Sequence, residues 1–121
     1  MTDRWTKKQR RELRELQGLA WERELSAALE GLQSDFRSWR NGDISPFELN
    51  DRIHRFHNGR SCELFNTYTG SLDMFFLEFV VARGVIEESE VSEDLLDVYR
   101  PLIDSRRERL QVSEESAGTD E

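Results

Sequence analysis

Residues 44–65, ISPFELNDRIHRFHNGRSCELF, decide how the chain folds. Ser45 is a good helix N-cap, Pro46 suits the first helical position, and Glu48 is placed to reach back to the Ser45 amide. Ile44 and Leu49 are spaced for a hydrophobic staple across that cap. Leu49, Ile53 and Phe56 then share one face, with Asp51, Arg52 and Arg55 off it, so the segment reads as an amphipathic helix. Gly59 reads as the residue that ends it, and Ser61 as the cap of a short helix carrying Leu64, Phe65 and Tyr68.

Upstream, Thr6 and Gln9 have the spacing of a capping box, and Trp5, Leu13, Leu16 and Ala20 share a face. Beyond Trp21 the apolar stripe moves to Leu25, Leu29, Leu32, Phe36 and Trp39, roughly 160° away at 100° per residue. The change falls near Gly18, which predicts a break or kink there. Leu25, Leu29, Leu32, Phe36 and Trp39 alternate steps of four and three, so this face is a candidate for homo-oligomer formation. Asn41-Gly42 is a C-terminal stop.

Downstream, Thr69-Gly70-Ser71 closes the short helix. Ser71 then caps LDMFFLEFVVAR, the most apolar segment, with Asp73 in its first turn and Gly84 just past its end. A helix apolar all round belongs in the middle of a bundle. Ser92 caps the last helix, built on Leu95, Leu96, Val98, Tyr99, Leu102 and Ile103, with a kink or restart expected at Pro101. The reading is an all-α, single-domain bundle of about five helices over residues 1–111, with an N-terminal helical arm at 6–17 and the main bundle at 19–111. Residues 112–121 form an acidic tail expected to be disordered.

Composition bounds the function. The 121 residues carry a net charge of −8, which argues against nucleic acid and anionic lipid as partners. The basic start KKQRRELR interleaves Glu12 and Glu15 and reads as a solvated face, and a helix-turn-helix over residues 46–69 would have only one base in its second helix. No apolar run is long enough to span a membrane, the first residues lack a signal-peptide core, and one cysteine cannot close an internal disulfide. These features fit a cytoplasmic protein.

Chemistry-bearing residues gather in the opening stretch. Asp51, His54 and His57 are three apart, the spacing by which one bundle helix offers a carboxylate and histidines to a metal; Glu63 or Glu78 would have to complete the set. The blander expectation makes His57 a partly buried structural histidine at the edge of the apolar face and leaves His54 half exposed. Cys62 reads as a semi-buried structural thiol. Glu78 is the one charge in the apolar segment, either at an exposed edge or buried against His57 or an arginine. His54 to Ser61 also loosely resembles the motif of histidine phosphotransfer domains, which implies an exposed phosphoryl-accepting histidine in an acidic four-helix bundle. It departs from that pattern where a Lys-Gly pair should follow the histidine, and Gly59 comes one residue late.

No catalytic constellation and no required cofactor emerge. The expected function is a non-catalytic protein-interaction or regulatory module of the adaptor, antitoxin-like or immunity-like kind. Its expected surface is Asp51, His54, Arg55, His57, Arg60 and Glu63, and its partner is expected to be a protein. The alternative is a helical metal-binding or phosphotransfer protein using His54 or His57.

Overall fold

The computed structural model describes residues 5–72 and 75–118. Among these residues the protein is all-α, with no strand and no helix long and apolar enough to cross a membrane. The α-helical segments are α1 (Lys7–Arg40), α2 (Pro46–Phe56), α3 (Cys62–Tyr68), α4 (Phe76–Ala82) and α5 (Glu93–Gly118). A π-turn at His57–Ser61 runs α2 into α3, and a 3₁₀ turn at Glu88–Glu90 precedes α5. The chain gathers into two compact units: residues 1–20 with 72–121, and residues 21–71.

In the first unit α1 starts on a complete capping box. The Gln9 amide donates to Thr6 Oγ1 at 3.0 Å, and the Thr6 amide donates to Gln9 Oε1 at 2.9 Å. Leu13, Leu16 and Ala20 of α1 are buried in this unit, as are Phe76, Leu77, Val80 and Val81 of α4 and Leu95, Leu96, Tyr99 and Ile103 of α5. Polar bonds tie the starts of α1 and α5 together. Gln9 Nε2 donates to Asp94 at 2.7 Å, and Glu12 accepts from both the amide and the hydroxyl of Ser92 at 2.7 Å. Ser92 in turn caps α5 by accepting from the Leu95 amide at 3.4 Å. Trp5 Nε1 donates to the Tyr99 hydroxyl at 2.6 Å. Glu88 accepts from Arg100 at 2.9 Å and Arg107 at 3.0 Å, and the Arg107 hydrogen bond leads in holding its carboxyl below the ordinary value.

The second unit is built from the rest of α1 with α2, the π-turn and α3. Its helix ends are set locally. After Arg40 the chain closes a Schellman motif, with Asp43 N donating to Ser38 O at 2.8 Å, Gly42 N to Trp39 O at 3.0 Å, and Gly42 at φ 81°. Ser45, at φ −78° and ψ 162°, then caps α2 by accepting from the Glu48 amide at 3.1 Å. Ser45→Ala should cost about 1 kcal/mol, read as a lower urea midpoint at unchanged slope. An unchanged midpoint would mean that the first-turn amides are satisfied without it.

Several expectations are corrected. α1 runs unbroken through Gly18. The stripe changes because Ala20 is the last α1 residue of one unit and Trp21 the first of the other. Nothing lies within 4 Å of a Cβ placed on Gly18, so Gly18→Ala should stabilise by about 0.5–1 kcal/mol through helix propensity, measured by thermal melts. A destabilised variant would show that the glycine serves something other than helix. Gly59 does not end α2: it lacks a positive φ and sits within the π-turn, so the ladder absorbs an extra residue and continues. Ser61 is therefore helical, at φ −60° and ψ −46°, and caps nothing with its side chain.

α4 starts at Phe76, not at Ser71, and spans seven residues; the expectation for Asp73 lies outside the described residues. Its end is as expected, a second Schellman closure with Gly84 at φ 78°. α5 carries Pro101 without ending, and two residues expected in its apolar pattern, Val98 and Leu102, are exposed. The helix also extends past the Val112 boundary expected for the tail, as far as Gly118, while residues 119–121 lie outside those described.

Candidate functional site

The continuous α2–π–α3 segment carries most of the chemistry-bearing residues of the second unit. The apolar stripe of α2 buries Leu49 and half-buries Ile53 and Phe56, which leaves the arginines on its other sides to find acids. Arg52 donates to Asp35 of α1 at 2.7 Å and to Glu48 at 3.1 Å, and these two bonds, Asp35 first, raise its pKa above the ordinary value. Arg55 pairs with Asp51 one turn back and with Glu48 at 3.5 Å. Arg60 reaches Glu24 at 3.6 Å, and Glu24 also accepts from the Tyr68 hydroxyl. Arg52, Arg55 and Arg60, with Asp35, Glu48 and Phe56, line an open groove of about 450 Å³. A second hollow of about 270 Å³ is lined by His57, Asn58, Ser61, Cys62 and Phe65.

Of the residues singled out by sequence, Arg55 and Arg60 come together in the first groove and His57 lines the second. His54 lines neither hollow, and Asp51 is held by Arg55. Glu63 is exposed on α3. His57, expected to be partly buried, is exposed on the π-turn. Cys62, expected to be semi-buried, is an exposed free thiol accepting from Asn66 Nδ2 at 3.6 Å. The metal candidates Asp51, His54 and His57 do not converge: among the described residues no three His, Cys, Asp or Glu side chains gather to hold an ion.

Glu78 belongs to the first unit and is buried, at 2% exposure. Its partner is Arg106 of α5, whose Nε lies 3.7 Å away, and not His57. That separation is too long for a hydrogen bond, and Glu78 Oε1 and Arg106 Nε are buried with no hydrogen-bond partner among the described residues. Arg106 and Arg83 both lie over the Phe79 ring, at 5.8 and 4.5 Å from its centre.

Sequence reading missed Glu24, Asp35 and Tyr68 as site residues. Their partners lie 17 or more residues away along the chain, where no local spacing reveals them.

The more telling property of this unit is its packing. Among the described residues it fully buries only three apolar side chains, Leu49, Leu64 and Tyr68, whereas the other unit buries thirteen. Trp21 and Phe65 meet edge to face at 6.1 Å, yet Phe65 remains 54% exposed, and Phe47 is 87% exposed. Leu29, Phe36 and Trp39 of α1 are exposed as well. Compared with models of known protein families, with curated proteins and with solved structures, the chain finds no match.

Proposed function

We propose that the protein is a non-catalytic interaction module of the adaptor, antitoxin-like or immunity-like kind, working in the cytoplasm. Its α2–π–α3 segment would grip a protein partner. One observation carries this reading: among the described residues this unit buries only three apolar side chains, leaves Phe47 and Phe65 turned outward, and sets three arginines along an open groove. Exposed aromatics and arginine are the residue types that most often anchor protein interfaces. The acids around the groove hold the guanidiniums in place, which lowers the entropic cost of meeting a partner's carboxylates.

The test is affinity capture from an extract of the source cell, quantified by mass spectrometry, with the wild type and with a Phe47→Ser/Phe65→Ser variant whose helicity is checked by circular dichroism. Both aromatics are exposed, so the variant should fold. A specific protein captured by the wild type and lost by the variant is expected. Equal recovery of every protein by both would overturn the reading.

A further inference from the structure

We propose that α1 carries a self-complementary face between Glu22 and Arg40, on which a second copy of this chain docks antiparallel. None of its seam residues lines the α2–α3 hollows, and the two readings stand or fall independently.

The apolar line Leu25, Leu29, Leu32, Phe36, Trp39 has the step of a helix-pairing seam. Three of its residues are open: Leu29 is 46% exposed, Phe36 41% and Trp39 38%. Leu25 and Leu32 are half-buried.

What identifies the occupant is the charge along that line. Taking about 100° per residue, Glu22 and Arg40 both fall at its edge, one at each end, and both are exposed. Arg23, Glu30 and Arg37 fall about 120° or more from its centre and would stay outside the seam. The face thus runs from an acid, through apolar residues, to a base. A surface of that kind fits a copy of itself turned end for end.

With the two-fold axis near Gly31, Leu29 meets Leu32 of the second copy and Leu25 meets its Phe36. Glu22 then lies beside its Trp39 and Arg40, and the contact repeats at the other end. A parallel pairing would instead set Glu22 against Glu22 and Arg40 against Arg40, where like charges repel.

The seam from residue 22 to residue 40 is about 27 Å long at 1.5 Å per residue, short for a permanent interface. The expected complex is a weak dimer, with a dissociation constant on the order of 10 µM.

Sedimentation velocity on the full chain, from about 1 to 500 µM, should show a monomer passing to a dimer as concentration rises. Glu22→Arg and Arg40→Glu should each weaken the dimer about tenfold or more, since each places two like-charge pairs in the seam. The double variant Glu22→Arg/Arg40→Glu restores both pairs and should return to within about threefold of the wild type. Orientation is read by cross-linking in a Cys62→Ser background, because Cys62 is an exposed thiol. Chains with Glu22→Cys should cross-link to chains with Arg40→Cys, and neither kind to itself. A monomer at every concentration, a dimer indifferent to the charge reversals, or self-linking of the Glu22→Cys chain would each overturn the proposal.

Discussion

Arg106→Ala should destabilise the fold by about 3 kcal/mol, because it strands the Glu78 carboxylate in the core of the first unit. Glu78 is 2% exposed, one of its oxygens has no hydrogen-bond partner among the described residues, and Arg106 supplies the ion pair recorded for it. The same geometry gives the opposite sign when the pair is removed together. At 3.7 Å the two groups attract without a hydrogen bond, so their desolvation is incompletely offset. Glu78→Leu/Arg106→Met should therefore lie near the wild type or above it. Urea unfolding of the wild type, Glu78→Leu, Arg106→Met and the double variant gives the coupling directly. An Arg106→Ala change within about 0.5 kcal/mol would show that the carboxylate finds water or another partner.

Leu95→Ala should cost about 3–4 kcal/mol, as the side chain is wholly buried where α5 enters the first unit. Leu64→Ala, at a comparably buried site in the second unit, should cost nearer 2 kcal/mol, because the sparse packing around it can collapse onto the vacated space. Equilibrium unfolding followed by circular dichroism measures both. Equal costs would mean that the second unit is as rigidly packed as the first, contrary to its short list of buried residues.

Helix ends proved legible where the signal is a bond between near neighbours. Thr6 with Gln9, Ser45 with Glu48, Ser92 with Leu95, and the glycines at 42 and 84 each act within five residues, and each was readable from spacing. Gly59 and Gly18 misled for one reason. A glycine marks a stop only when the backbone turns left-handed, and these two stay in helical conformation. Capping serines misled likewise at 61 and 71, since a hydroxyl is equally at home inside a turn.

The candidate surface could be marked out in the sequence only as a segment, since its geometry rests on contacts that local spacing does not carry. Arg55, Arg60 and His57 line hollows, and Arg55 is held by Asp51 and Glu48 of its own helix, but the α1 acids that meet Arg52 and Arg60 lie far along the chain. The exposure of His57 and Cys62 depends on how little covers them, which helical periodicity does not encode.

The division of the chain also sets an order of events during synthesis. Residues 21–71 are contiguous, so the second unit has all its parts once that stretch has left the ribosome. The first unit joins residues 1–20 to 72–121 through bonds as far apart as Trp5 to Tyr99, 94 positions along the chain, and Glu12 to Ser92, 80 positions. It cannot close until most of α5 has been made. In the interval Leu13, Leu16 and Ala20 wait without their partners from α4 and α5, and they are the natural target of any chaperone that meets the nascent chain.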